Sequence, residues 1–105
     1  MDRIVFAGFD WDEGNLYKCQ RHGLKILDVE CLFTTEFFIA SDKKHSSFEA
    51  RLIACGMTSL GRGIFVAFTI REKEGGYFIR PISARYMHQR ELIRYEKEIA
   101  KTKLG

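Results

Sequence analysis

The chain has 105 residues, of which 46% are apolar and 30% charged, a composition typical of one soluble globular domain over residues 1–105. It holds no run of about 18 apolar residues, and charged side chains surround the first apolar stretch, so we expect neither a membrane span nor a signal peptide. The three cysteines show no paired spacing, which favours reduced thiols in the cytoplasm over disulfides or a zinc site. We therefore expect no cofactor and no metal.

The net charge is only +3, but it is unevenly distributed along the chain. Residues 1–50 carry six Lys or Arg and nine Asp or Glu, whereas residues 51–105 carry eleven and five. A basic half of this kind suits a polyanion such as a nucleic acid, or a strongly acidic protein partner.

The first third of the sequence predicts one strand and two helices. Residues 3–9 are an apolar run rich in β-forming side chains, which indicates a strand. Asp10 or Asp12 can cap a helix over about residues 12–22, and Gly23 can end it. A second helix is predicted over residues 25–33.

The rest of the sequence predicts four strands and a last helix. Strands are indicated at 37–40, 48–55, 64–71 and 77–84, with a glycine-rich turn at 57–63 and a charged loop at 72–76. Pro81 lacks an N–H, so its strand should lie at an edge or carry a bulge near residue 81. A helix over 87–101 completes the order β-α-α-β-β-β-β-α.

Because strands joined by short turns pair antiparallel, we expect an α+β fold with an antiparallel sheet, helices packed on one face and the other face open.

Several short motifs follow one another in a fixed order from about residue 6 to residue 96. They are Phe9-Asp10-Trp11-Asp12, Arg21-His22-Gly23, Asp42 with His45-Ser46, Glu49 with Arg51, Gly61-Arg62, the run from Phe65 to Arg71, Ile82-Ser83-Ala84-Arg85, Glu91 and Tyr95. The ordered set resembles the BrnT family, toxins of type II toxin–antitoxin pairs. One departure lies in the first helix, where Lys18-Cys19-Gln20-Arg21 precedes His22-Gly23 and the family commonly carries an Asn a few residues before Lys-His-Gly.

The resemblance implies a RelE-like fold and an endoribonuclease that cuts RNA and inhibits translation and growth. It also implies a cognate BrnA-like antitoxin of the ribbon-helix-helix class that neutralises the toxin. DNA would be contacted only indirectly, through that antitoxin.

Candidate residues for such chemistry follow from what RNA cleavage requires. Without a metal, one group must take the 2′-OH proton, the 5′-oxygen must gain a proton, and cations must face the phosphate. His22 is the candidate for proton transfer, since it ends a helix whose dipole favours imidazolium; the alternative is a capping histidine. Arg51 and Arg85 are candidates for stabilising the phosphate, although Arg85 could instead form an ion pair with Glu49 or Glu91.

Four further cations are candidate RNA contacts: Lys18, Arg62, Arg71 and Arg80. Lys18 lies one helical turn before His22 on the same face. Arg80 and Arg85 point to opposite faces of a regular strand, so both reach the open face only if the strand bulges near Pro81. For Lys18 and Arg62, the pattern favours the alternative of a solvated surface side chain.

Other motif residues have weaker functional interpretations. His45 and Ser46 lie in a polar loop that they order or through which they touch substrate. Tyr95 shares an apolar stripe and is expected in the core, and Trp11 is expected to anchor a helix to the sheet rather than to stack on a base. Two other functions use the same basic residues: a non-catalytic RNA-binding module, and an interaction protein that meets an acidic partner.

Overall fold

The computed structural model of the protein describes residues 5–35, 37–41 and 50–104. The elements are β1 (Phe6–Phe9), α1 (Glu13–Gln20), α2 (Ile26–Leu32), β2 (Phe38–Ser41), β3 (Leu52–Met57), β4 (Gly63–Lys73), β5 (Gly76–Tyr86) and α3 (Gln89–Leu104). The predicted order β-α-α-β-β-β-β-α is confirmed. Residues 3–4 of the first predicted strand and 48–49 of the third lie outside the described residues.

The five strands form one sheet in the order β1-β5-β4-β3-β2. The strands from β2 to β5 pair antiparallel with their sequence neighbours, as their connections predict. However, β1 pairs with β5 in parallel, with Phe9 opposite Ile79, so the prediction of a purely antiparallel sheet is wrong. Short turns force antiparallel pairing only between strands that are consecutive in the chain. This rule does not apply to β1, because two helices follow β1 and its neighbour in the sheet is β5, the last strand.

The core lies between one face of the sheet and helices α1 and α2. Ile64, Val66 and Phe68 alternate along β4 and are buried on this face. Cys19 of α1 and Val29 of α2 belong to the same buried cluster. The ring of Phe33 packs edge-on against Phe68 at 5.0 Å and against two other phenylalanines, so aromatic contacts help to hold α2 on this face of the sheet.

Helix α3 packs on the opposite face of the sheet. Its Tyr95 ring meets Phe38 at 5.8 Å, and Phe38 lies opposite Cys55, which lies opposite Phe65 in the ladder. Phe65 alternates with the buried core residues of β4, so α3 covers the second face. The prediction that all helices share one face is therefore wrong for α3, because apolar side chains on that face also need cover. The predicted burial of Tyr95 is confirmed, at 7% exposure.

Strand β5 carries a bulge beside Pro81. Ala67 pairs with Ser83 and the next residue, Phe68, pairs with Pro81, so Ile82 is the extra residue. The bulge is the outcome that the proline predicted; the alternative, an edge strand, is wrong because β5 lies between β1 and β4. The bulge has a functional consequence. It pairs Arg80 with Thr69, two residues beyond Ala67, and so returns Arg80 to the face that carries Arg85.

Asn15 ties α1 to the sheet where β1 ends. Its Nδ2 donates to the carbonyls of Asp10 at 2.9 Å and Pro81 at 2.8 Å, and its Oδ1 accepts the Asp12 N–H at 2.7 Å. The residue is 4% exposed. Asn15 thus donates to the Pro81 carbonyl of β5, two residues beyond Ile79, the last residue of β5 that pairs with β1.

We expect Asn15→Ala to lower the free energy of unfolding by about 2–3 kcal/mol, because buried carbonyls lose their donors. Urea denaturation followed by circular dichroism measures the loss. Gln20→Ala is the matched control, since the exposed Gln20 amide donates only to its own helix at Leu16; its effect should stay within about 0.5 kcal/mol. Equal effects of the two substitutions would refute the structural role of Asn15.

Candidate active site

A cleft of about 450 Å³ opens on the face of the sheet that α3 only partly covers. We call it the arginine cleft. Its lining residues are Arg21, His22, Arg51, Ile53, Phe65, Ala67, Ser83, Ala84, Arg85 and Glu91. All three residues predicted to carry the chemistry, His22, Arg51 and Arg85, therefore lie around one cavity.

The secondary structure explains how residues distant in sequence meet there. Arg85 lies opposite Phe65 in the β4–β5 ladder, and Arg51 directly precedes β3. His22 follows the last turn of α1, where Gly23 adopts a φ of +96° that lets the chain leave the helix. The end of α1 thus brings a histidine to the sheet face that carries both arginines.

Arg85 is held by the carboxylate of Glu91. The two Nη atoms of Arg85 donate to the two carboxylate oxygens, each at 2.9 Å, and Nη1 also donates to the Tyr86 carbonyl at 3.1 Å. The guanidinium lies 4.8 Å from the centre of the Phe65 ring. An arginine has five N–H donors, so these three bonds leave an edge of the group for another anion. The alternative that Arg85 pairs with Glu91 is confirmed, and it is compatible with phosphate binding.

Glu91 makes the stability of the fold depend on pH. The hydrogen bonds from Arg85, and after them the His88 backbone N–H, lower the pKa of Glu91 from 4.5 to about 2. A carboxyl with a depressed pKa stabilises the folded state above its unfolded pKa and loses that contribution as the pH falls toward the folded value. The loss should therefore fall between about pH 4.5 and pH 2.

We expect Glu91→Gln to flatten this acid limb of the stability curve. Between pH 4.5 and pH 2 the melting temperature of the wild type should fall further than that of the variant, because only the wild type must protonate Glu91. Asp12, whose pKa is also lowered, makes the same contribution to the pH dependence of stability in both proteins, so it does not affect the comparison. Parallel melting curves across this range would contradict the role given to the Arg85–Glu91 pair.

His22 interacts with a neighbour that the sequence does not single out. Arg21 Nε donates to His22 Nε2 at 3.2 Å, so this ring nitrogen acts as an acceptor. Both residues line the arginine cleft. Arg21 follows Lys18 by three residues, and this spacing places it on the same helix face as Lys18 and His22. That spacing is the signal from which Arg21 could have been found.

A second basic cleft of about 200 Å³ lies farther along β5. Its lining residues are Gly14, Asn15, Lys18, Thr69, Arg71, Arg80, Pro81 and Ile82. Three of the four cations predicted to contact RNA line this cleft, namely Lys18, Arg71 and Arg80. Arg80 forms ion pairs there with Asp12 at 2.7 Å and Asp10 at 3.6 Å. Arg62, the fourth cation, lines neither of these two clefts. Its guanidinium stacks on the Tyr86 ring, 3.5 Å from the ring centre.

The remaining motif residues have varied positions. Asp42, His45, Ser46 and Glu49 lie outside the described residues. Trp11 Nε1 donates to Glu30 of α2 at 2.9 Å, which confirms its predicted role as an anchor between the end of β1 and a helix. Among residues 5–35, 37–41 and 50–104, no three His, Cys, Asp or Glu side chains form a group that could hold a metal ion. No helix in this part of the chain is long and apolar enough to cross a membrane.

Comparison with known proteins agrees with the ordered motifs. No curated protein matches the chain. The sequence profile described as "Ribonuclease toxin, BrnT, of type II toxin-antitoxin system" matches residues 11–91, which include α1, α2, the strands from β2 to β5 and the residues that line the arginine cleft. The chain belongs to the BrnT family of ribonuclease toxins of type II toxin–antitoxin systems.

Proposed function

We propose that the protein is a metal-independent endoribonuclease whose reaction takes place in the arginine cleft. The observation that carries the proposal is the meeting of His22, Arg51 and Arg85, from three distant segments, around one cavity. A histidine and planar cations are the groups that phosphodiester cleavage by proton transfer needs.

The cleavage step follows from these roles. The ribose 2′-OH replaces Arg21 Nε as the donor to His22 Nε2, and this nitrogen then takes the 2′-OH proton. The 2′-oxygen then bonds to phosphorus, the bond to the 5′-oxygen breaks, and the leaving oxygen takes a proton from water in the open cleft. Arg51 and the available edge of Arg85 stabilise the extra negative charge on the phosphate as it forms.

The second basic cleft extends the binding surface beyond the cleaved bond. Because the bulge puts Arg80 and Arg85 on one face of β5, an RNA strand following β5 would meet both clefts. Flanking phosphates would be contacted by Lys18, Arg71 and Arg80. A further phosphate would be contacted by Arg62, from the turn between β3 and β4. Such contacts supply affinity without sequence preference and weaken with salt.

The partner proposed for this toxin is a BrnA-like antitoxin of the ribbon-helix-helix class, with DNA reached only through it. Membership of a type II family supports the existence of an antitoxin, and the class of antitoxin is our proposal. We further propose that residues 1–105 form a single domain with a RelE-like fold that acts in the cytoplasm. A small ribbon-helix-helix gene directly downstream, whose product binds the toxin, is the expected finding.

The activity is tested by incubating the purified full chain with RNA in EDTA, with and without ribosomes. Cleavage is expected, and the inhibition of growth should follow from it. The second candidate function is a non-catalytic RNA-binding module, which the two basic clefts would also serve. RNA recovered intact after binding that falls steeply with salt would favour this module and refute the endoribonuclease.

A further inference from the structure

A third cavity, of about 360 Å³, lies between α3 and the sheet. We call it the aromatic cavity. It is lined by Phe38, Cys55, Phe65, Glu91, Arg94, Tyr95 and Glu98. Two of these residues, Phe65 and Glu91, also line the arginine cleft, so the two cavities adjoin. A group anchored by its phosphate near Arg85 would therefore have the aromatic cavity beside it.

The walls of this cavity suit a flat aromatic ring. Phe38 and Tyr95 meet edge to face at 5.8 Å, and Phe65 is partly exposed from the sheet. Aromatic side chains next to a phosphate site are the usual platform on which nucleobases stack. The cavity is open at its rim, where the exposed side chains of Arg94 and Glu98 lie.

The polar groups of the cavity come from one stripe of α3. The stripe consists of Glu91, Arg94 and Glu98, whose helical spacing makes them project toward the same side of α3. The rise along the helix axis from Glu91 to Glu98 is about 10 Å. Glu98 also meets Lys101 at 3.6 Å in an ion pair that is exposed to solvent. The stripe offers the Arg94 guanidinium beside the Glu98 carboxylate, whereas the Glu91 carboxylate is held by Arg85 and the His88 N–H.

This pattern is complementary to guanine. A guanidinium donates in parallel to the O6 and N7 acceptors of guanine, the commonest specific contact of arginine with a base. A carboxylate accepts from the N1–H and the 2-amino group, a donor pair that adenine, cytosine and uracil do not present together. A mismatched base would leave donors or acceptors unpaired, and this is the strongest source of discrimination between similar ligands.

We propose that the aromatic cavity is a nucleobase subsite that binds a guanine adjoining the phosphate held in the arginine cleft. Phe65 would be the shared wall between base and phosphate, and Arg94 the residue that selects guanine. This proposal rests on the proposed function, which places the RNA phosphate in the arginine cleft. It adds a preference for one base to a site that is otherwise described only by its charge.

The test is a titration of the ¹⁵N-labelled full chain with the four ribonucleoside 3′-monophosphates, followed by NMR. These probes carry a base and a phosphate but no bond to cleave, so binding is read without catalysis. Guanosine 3′-monophosphate should bind roughly tenfold more tightly than the other three, with shifts concentrated on α3 and on the strands at Cys55 and Phe65. Equal affinities for the four nucleotides would overturn the proposal.

Arg94→Gln should remove the preference, weakening guanosine 3′-monophosphate roughly tenfold and leaving the other three nearly unchanged. Arg90→Gln is the matched control, because Arg90 is an exposed arginine on the same helix that lines none of the three cavities. A preference that survives Arg94→Gln, or that Arg90→Gln removes equally, would contradict the assignment.

The failure of this proposal is distinguishable from failure of the proposed function. RNA cleaved in EDTA without base preference, together with equal nucleotide affinities, would reject the guanine subsite and keep the endoribonuclease. Selective binding of guanosine 3′-monophosphate that depends on Arg94, with RNA left intact, would support the subsite and reject catalysis.

Discussion

Arg85→Gln is expected to slow RNA cleavage by about 100-fold or more, the usual cost of removing one group that stabilises developing charge. Glutamine keeps polarity and approximate length, but it cannot present a cation or two parallel donors to the phosphate. The rate of cleavage of a short RNA in EDTA, at saturating protein, measures the loss.

Two comparison variants separate this role from the ion pair with Glu91. Glu91→Gln breaks the same pair yet keeps the guanidinium of Arg85, so it should retain far more activity than Arg85→Gln. Arg90→Gln, an exposed change outside the cleft, should be as active as the wild type. If Arg85 only tied α3 to the sheet, Arg85→Gln and Glu91→Gln would lose equal activity and stability.

His22→Gln is expected to lower the cleavage rate by about 10²- to 10⁴-fold, the range found when a positioned acid or base is removed. Measuring the rate of cleavage of a short RNA in EDTA for both proteins gives this comparison.

The matched control for His22 is His88→Gln. The exposed His88 lines none of the three cavities, and its hydrogen bond to Glu91 comes from the backbone N–H, which the substitution keeps, so its side chain should be dispensable for cleavage. A His22→Gln variant that cleaves RNA as fast as the wild type would remove His22 from the mechanism.

The sequence predicts those features that local chemistry determines. Asp12 caps α1 by accepting the Asn15 backbone N–H at 3.0 Å, one of the two caps that the sequence offered. Alternation along β4 and the bulge expected from Pro81 together place Arg80 and Arg85 on one face, as the structure has them. The predicted loop at 72–76 shortens to residues 74–75, because Lys73 still pairs with Gly76.

The features that the sequence does not predict depend on distant parts of the chain. No local pattern indicates that β1 joins β5 in parallel, or that α3 turns onto the second face of the sheet. The same holds for the site. Chemistry alone makes His22, Arg51 and Arg85 candidates, and their meeting depends on α1 running beside β5 where β1 ends. Arg21 differs, because its spacing from Lys18 already indicates a shared helix face.

The most direct test of a cleft that cleaves RNA without metal is the chemistry of the new RNA ends. The full chain, incubated with a defined RNA in EDTA, should yield fragments with 2′,3′-cyclic phosphate and 5′-hydroxyl ends, identified by mass spectrometry, because the ribose 2′-oxygen is the proposed nucleophile. Fragments with 3′-hydroxyl and 5′-phosphate ends, formed only when a divalent metal ion is added, would indicate a metal-activated water and contradict the account.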